Sequence, residues 1–596
     1  MLPIDPWRNM LTESGTSNAY KPQVLFDSRN ETYKTPFGAI STRRKVFLLF
    51  PVLASLNVKG VSMVLRRNDH NTILPLTKRG SNDGYDEFSL EFGVDREGTY
   101  YYRFELYTEQ GVLFCGNDGS GKAIIGDWLP EWQLSVYTAN YGTADFIKGG
   151  VVYQIFCDRF FHSGEYVAPR YGVSKKWYED VTVVDPDGVY RANDFYGGNF
   201  KGIEEKLDYL QDLGVTALYL SPVFESSSNH RYDTADYSKL EPMLGTEEDF
   251  RSLIKTAEEK NIAIILDGVF NHTGADSVYF NKFGHYPGVG AYQSKESPYY
   301  SWYTFYDFPD DYRCWWGITV VPTIAHDAVG YQDMIASRTS GIIKKWTDFG
   351  VKGWRLDVVD ELGSNFIERI RRSVKTAAPD GLVLGEVWED ASNKFSYGEE
   401  RQYFYGDQLD GVMNYVYKEA ILEFLDGGSA KKFADTVLAI MENYPEDSLN
   451  DCFTLIGSHD TVRAINALSG VKCDGLTKTE RRDYKLAYED YERGKRKLLA
   501  AACLQYFLPG VPCVYYGDEI GMQGFDDPIN RRPFTWDAVD EEIHAHYAML
   551  GKTRKKYKSE FIKRPQISYS EDAVSINRNK VTLTVHSNGE WKMEER

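Results

Sequence analysis

Positive charge is scarce in this chain. Its 596 residues carry 68 Lys and Arg against 87 Asp and Glu, a net charge of −19. Nucleic acid or an anionic membrane needs a basic face, so neither is expected as a partner. The one dense basic stretch, Lys552-Thr-Arg554-Lys555-Lys556, is short and reads as the solvated face of a charged helix. Cysteine is sparse too: seven residues, odd in number and scattered, with no CxxC spacing, supply neither a disulfide framework nor a zinc site. Long apolar runs are missing. The longest, Val46 to Leu56, is broken by Pro51 and is too short to span a bilayer. Met1 to Thr16 holds Pro3, Asp5, Pro6 and Arg8 and lacks the apolar centre of a secretory signal. A cytoplasmic protein is therefore expected, and an extracellular one if a signal has been removed.

What is present is length and texture. The chain is too long for one core, so two to four domains are expected. Residues 1–145 read as a β-sandwich: Val46 to Phe50, Gly60 to Leu65, Phe88 to Phe92 and Thr99 to Leu106 are short strand-like runs separated by turn clusters such as Gly80-Ser-Asn-Asp-Gly84. From 146 to 556 strand-like and helical patterns alternate. Phe200 to Leu213 has helical spacing, Val215 to Leu220 reads as a strand, Glu247 to Lys260 as a helix and Ile262 to Leu266 as a strand. About eight such units predict a closed (β/α)8 TIM barrel rather than an open sheet. Residues 273–330 are rich in Tyr, Trp, Pro and Gly. They predict a subdomain inserted after the third strand, since a bare loop that long is unusual. Residues 557–596 predict a short C-terminal β region.

Four apolar runs end in polar groups: Asp267-Gly-Val-Phe-Asn271-His272, Gly353-Trp-Arg355-Leu-Asp357, Gly385-Glu386-Val-Trp388 and Gly457-Ser-His459-Asp460. A barrel collects such strand ends at one mouth. Arg355 and Asp357 are two apart and point the same way. An Arg beside a carboxylate favours its ionised form, which suits Asp357 as a nucleophile. Glu386 sits among Val383, Leu384, Val387 and Trp388, an apolar setting that suits a proton donor. Asp460 is a third acid, suited to holding substrate hydroxyls. Two carboxylates under opposite pressures are what glycoside hydrolysis requires.

These segments resemble the conserved regions of the alpha-amylase family of glycoside hydrolases, over roughly residues 150 to 556. The resemblance implies Asp357 as nucleophile, Glu386 as general acid/base and Asp460 as transition-state stabiliser. It implies Arg355 as the arginine that orients the nucleophile, and Asp267, Asn271, His272 and His459 as mouth residues. His230-Arg-Tyr232-Asp233 resembles the family's His-x-Tyr-Asp motif, with Tyr232 stacking on the sugar and His230 contacting its hydroxyls. Tyr153-Gln-Ile-Phe-Cys-Asp-Arg-Phe, Gly197-Gly-Asn-Phe-Lys-Gly, Tyr515-Tyr-Gly-Asp-Glu and Asn530-Arg-Arg-Pro-Phe resemble the neopullulanase, cyclomaltodextrinase and amylopullulanase branch. There Trp388 would border the acceptor subsite. The implied substrates are α-glucans: maltodextrins, cyclodextrins, pullulan or starch. The implied reaction is retaining hydrolysis of α-1,4 links, with α-1,6 links left open as a further target, transfer to a sugar acceptor as the alternative and a non-catalytic glucan-binding protein as a more distant one. No cofactor is required by that chemistry.

The sequence also departs from the family. Pro322-Thr-Ile-Ala-His326 stands where relatives carry a Pro-x-x-Asn stretch, and Asn199 stands where an Asp is common. Asp158, Asp194 and Asn199 are the candidate calcium ligands, a sparse oxygen set. The N-terminal domain has two readings, glucan binding through exposed rings such as Trp128 and Trp132, or formation of a homodimer.

Overall fold

In a computed structural model, residues 21–185 and 187–596 are described; the Met1 to Thr16 segment considered above lies outside them. Eight parallel strands close into a barrel: β1 (Val152–Ile155), β2 (Ala217–Leu220), β3 (Ala263–Gly268), β4 (Gly353–Leu356), β5 (Leu382–Val387), β6 (Gly411–Asn414), β7 (Phe453–Thr454) and β8 (Val511–Tyr515). Closure is by β1 against β8, with Val152 beside Cys513. Val152, Tyr219, Ile265, Leu384, Met413 and Phe453 are among the residues that fill the core with almost no exposure. This is the packed barrel interior that leaves only the strand ends for polar groups.

The helices between strands form for local reasons. Glu247–Glu259 starts on a capping box, in which Thr246 and Asp249 satisfy each other's backbone N–H. It buries Phe250, Leu253, Ile254 and Ala257, the apolar stripe of a 3.6-residue period. The single helix expected over 200–213 is instead two short ones, Phe200–Glu205 and Leu207–Asp212. They part at Lys206, whose ammonium lies over the rings of Phe161 and Trp536. Within residues 273–330, Phe280 meets Tyr303 at 4.9 Å and Tyr312 at 4.7 Å between ring centres. At the C-terminus Gln566–Tyr569, Ala573–Asn577, Val581–His586 and Trp591–Glu595 form an antiparallel four-stranded sheet.

Most of the chain from 21 to 134 is a separate compact unit. One sheet there pairs Lys34–Thr35, Val46–Leu53, Tyr85–Phe92 and Thr77–Asn82; the other includes Gly60–Arg67, His70–Pro75, Gly98–Thr108 and Gly111–Asn117. Phe50 of the first sheet meets Phe104 of the second at 4.1 Å. Trp132 belongs to this core, 1% exposed, with its N–H on the Gly121 carbonyl. The expectation of an exposed Trp132 is therefore overturned: Trp132 and Leu134 alternate inward along their strand. Trp128, outside any strand, is fully exposed. Among the described residues, no helix is long and apolar enough to cross a membrane.

Candidate active site at the mouth of the barrel

Arg355 organises the strand ends. Neighbouring β3 and β4 are in a register that sets Asp267 beside Arg355. Nη1 of Arg355 donates to Oδ1 of Asp267 and to Oδ1 of Asp357, both at 2.8 Å. Nη2 stands 2.9 Å from Oε2 of Glu386 on β5. The guanidinium is fully buried. Trp354 and Leu356, on either side of Arg355, point the other way and are buried, as strand alternation demands.

One guanidinium thus faces three carboxylates, and this reverses the expectation for Asp357. Burial drives its pKa well above the usual 3.8; Arg355 opposes that, while the charges of Glu386, Asp267 and Asp460 add to it. Asp267 is also raised, again mainly by burial, against the pull of Arg355 and of hydrogen bonds from Tyr219 and Tyr232. Glu386 does not lie in an apolar pocket. Its Oε2 accepts the Val358 N–H at 2.8 Å, and its Oε1 accepts the Trp388 indole N–H at 3.1 Å. Val358, the residue after Asp357, makes that contact from a left-handed backbone, φ 40° and ψ 48°. For a β-branched residue this conformation costs about 1–3 kcal/mol.

The second acid wall follows β7. Asp460 is partly exposed; its Oδ2 is 3.1 Å from His459 Nε2 and its Oδ1 3.4 Å from Arg531 Nη2. Arg531 also donates to the His459 carbonyl at 2.9 Å, and Asn530 donates to the same carbonyl at 2.7 Å. His459 Nδ1 is 2.8 Å from Gln154 Nε2, and its Nε2 is 2.6 Å from the Tyr232 hydroxyl, which donates to Asp267 Oδ2 at 2.8 Å. A proton order running Gln154, His459, Tyr232, Asp267 satisfies each donor. Tyr219 donates to the same Asp267 oxygen at 2.6 Å. Burial holds His459 far below the usual histidine range and His230 and His272 at about 4. All three are neutral at neutral pH.

The remaining expected residues surround this centre. His230 Nδ1 accepts the Tyr232 N–H at 3.1 Å. His272 Nε2 meets the Tyr232 carbonyl at 3.1 Å. Asn271 Nδ2 donates to Glu361 at 3.2 Å. Trp388 is 44% exposed and stacks on Tyr415, 3.8 Å between ring centres and 12° from parallel. Sequence reasoning assigned no role to Tyr219, Tyr415, Gln154 or Arg531. Gln154 sits in the quoted β1 motif and Arg531 in the Asn530 motif, so the segments were visible and the side-chain roles were not.

The calcium expectation fails on this geometry. Arg159 already stands between the carboxylates, Nε 2.7 Å from Asp158 Oδ2 and Nη2 3.3 Å from Asp194 Oδ1, all three side chains buried. Asp158 further accepts the Gly197 N–H, and Asp194 accepts from Asn229 and from the Thr182 N–H. Asn199 caps the Phe200–Glu205 helix through Gly202 N. Among the described residues no three His, Cys, Asp or Glu side chains converge as a metal site.

The alpha-amylase catalytic-domain model matches residues 154–319 and 326–574. An amylopullulanase of Thermoanaerobacterium saccharolyticum is 33% identical over 90% of this chain and 45% of its own length. A cyclomaltodextrinase of Geobacillus thermopakistaniensis is 33% identical over 82% of this chain and 76% of its own. Among solved structures, the type III pullulan hydrolase from Thermococcus kodakarensis aligns with a TM-score of 0.65 at 25% identity, covering 95% of this chain and 94% of that one. The chain spans less than half the length of the amylopullulanases it matches.

Proposed function

The chain belongs to the alpha-amylase family of glycoside hydrolases, and on that premise we propose that it cleaves α-1,4 glucosidic bonds in maltodextrins, cyclodextrins, pullulan or starch, with retention, and leave α-1,6 cleavage to the test below. The observation that carries this reading is Arg355, which holds Asp357 on one terminal nitrogen and Glu386 on the other. Carboxyl groups on neighbouring nitrogens of one guanidinium are close together, as a retaining mechanism needs.

In the first step a carboxylate oxygen of Asp357 bonds to the anomeric carbon. The glycosidic C–O bond breaks, and the departing oxygen takes the proton of Glu386. In the second, ionised Glu386 removes a proton from water, the water oxygen bonds to the anomeric carbon, and the ester to Asp357 breaks. Both acids cannot be ionised cheaply beside Asp267 and Asp460. The Arg355 guanidinium, 2.8 Å from Asp357 Oδ1, supplies the positive charge that supports an ionised Asp357 during attack. Asp460 and the neutral His230, His272 and His459 hold sugar hydroxyls, and Tyr232 stacks on the ring.

Transfer to a sugar acceptor is the second reading. It is favoured by Trp388, an exposed indole tied to the proton donor, where an acceptor sugar could replace water. In the N-terminal unit, the exposed Trp128 suits glucan binding and a homodimer contact alike.

The test is side-by-side digestion of pullulan, cyclodextrin and soluble starch. Panose from pullulan indicates α-1,4 cleavage and maltotriose indicates α-1,6 cleavage. Products longer than the substrate from maltotriose indicate transfer. No product from any of them sinks the proposal.

A further inference from the structure

The chain carries a net charge of −19, yet three arginines converge on one cavity in the helix layer around the barrel. The cavity measures about 390 Å³ and is lined by Arg338, Arg369 and Arg372 together with Asp333, Ser337 and Thr339. It lies among the helix Val329–Ala336, the turn that follows it and the helix Ser364–Ala377. None of the acids, histidines or rings of the barrel mouth lines it.

The three guanidinium groups are held differently. Arg369 is anchored from inside: its Nη1 donates to Oε1 of Gln332 at 3.0 Å. Gln332 is buried, and its own amide donates to the His326 carbonyl at 2.8 Å. Part of the ordering cost of an arginine that binds a ligand is therefore met before the ligand arrives. Arg369 also pairs with Asp333, whose side chain is 60% exposed. Arg372 pairs with Glu368, one helical turn away, at 3.0 Å. The Arg338 side chain has no hydrogen bond or ion pair among the described residues. Three guanidinium groups thus meet two carboxylates, which leaves a net positive charge. Exposed pairs of this kind are worth at most about 1 kcal/mol, so an anion of higher charge can take over their donors.

We propose that this cavity binds a phosphate monoester carried on a sugar. The planar fork of an arginine matches two phosphate oxygens at once, and a monoester carries about −1.5 to −2 at neutral pH. A bare phosphate would leave over half of the space empty: its five heavy atoms, at roughly 30 Å³ each, compare with about 390 Å³. The lining, one alanine apart, is polar or charged, and the Ser337 and Thr339 hydroxyls stand 3.2 Å apart within it. Such a lining suits sugar hydroxyls, which both donate and accept. No aromatic ring lines the cavity to stack on a nucleotide base. The site shares no residue with the mouth, so its occupancy is measurable whatever the mouth cleaves.

The test is calorimetric titration of the full chain with glucose 6-phosphate, inorganic phosphate and glucose in turn. Glucose 6-phosphate should bind at least tenfold more tightly than either of the others. Arg338→Gln should weaken it roughly tenfold; it breaks no contact, so the loss cannot come from a loosened fold. Arg338→Lys should recover only part of the affinity, because charge returns without the fork. Arg338→Gln combined with Arg372→Gln should remove saturable binding. Maltotriose carrying a 6-phosphate identifies the source of the ester: tighter binding than glucose 6-phosphate points to a phosphorylated glucan, weaker binding to a free sugar phosphate. Unchanged affinity in the double variant overturns the site. Inorganic phosphate binding as tightly as glucose 6-phosphate overturns the sugar, and glucose binding as tightly overturns the phosphate. Because the readout is heat of binding, these results stand apart from the outcome of the digestion test above.

Discussion

The ring of Tyr232 lies 3° from parallel to that of His459, 5.3 Å between centres, with its hydroxyl 2.6 Å from His459 Nε2. The imidazole therefore lies beside the hydroxyl edge of Tyr232, not over its ring face, because parallel rings joined by so short a contact are offset sideways. The hydroxyl joins the β2, β3 and β7 segments through Asp267. Tyr232→Phe keeps the ring and deletes that junction. It should lower kcat by roughly 10- to 100-fold, with a smaller change in KM, because buried partners are left unpaired. Steady-state kinetics on maltotriose checks this, and an unchanged kcat would show that the ring alone matters.

Asp357→Asn should abolish turnover and raise the melting temperature. Burial lifts the Asp357 pKa above 3.8, so the folded state holds this proton more tightly than the unfolded state. Ionising the group costs folding free energy, fully so above the raised pKa and not at all below about 3.8. Asparagine removes the cost. The gain, roughly 1–3 °C at pH 7, should fade as pH falls toward 4. Calorimetry across pH 4 to 8 measures it, and a destabilised variant at pH 7 would contradict the assignment.

The buried histidines make an acid-side prediction. His230 and His272 sit at about 4 in the fold, against about 6.5 unfolded. Their contribution is complete above pH 6.5 and is lost as pH falls from there to 4, because only the unfolded chain takes up the protons. Each is worth on the order of a few kcal/mol. His272→Gln cannot titrate, so its melting temperature should fall less steeply over that window; curves parallel to wild type would refute the assignment.

Arg159 replaces an acquired cation. Chelation with EDTA should leave activity and melting temperature where they were. Arg159→Met should cost about 3–5 kcal/mol, since it strands two buried carboxylates. A melting temperature that drops in EDTA would show a metal dependence that this pairing denies.

Trp388→Ala should shift products toward hydrolysis, because it removes the exposed indole proposed to border the acceptor position. Chromatography of maltotriose digests would show shorter products at the expense of longer ones, and an unaltered ratio would separate Trp388 from acceptor choice.

The barrel and the acids at its mouth were legible because strand–helix alternation and strand-end polarity are local patterns. The electrostatics were not. Arg355 beside Asp357 in sequence suggests a lowered pKa, and only the register of β3 and β5 reveals that Asp267 and Glu386 draw on the same guanidinium. Arg531 lies far along the chain from Asp460, so no spacing rule connects them. Trp132 and Arg159 were readable in hindsight: the alternation of Trp132 and Leu134 marks a buried face, and a basic residue adjoining Asp158 is a ready counter-ion.

The Arg355 cluster has a consequence for how the chain reaches its fold. Asp267, Arg355 and Glu386 come from three successive strands and meet only if β3, β4 and β5 align in one register. A slip of one residue turns every side chain of a strand to its opposite face. Arg355 would then enter the helix layer and leave buried acids behind, at a cost of several kcal/mol. The charges that would act on a sugar therefore also act as a proofreading device during assembly, discriminating against misaligned barrels before any substrate is met.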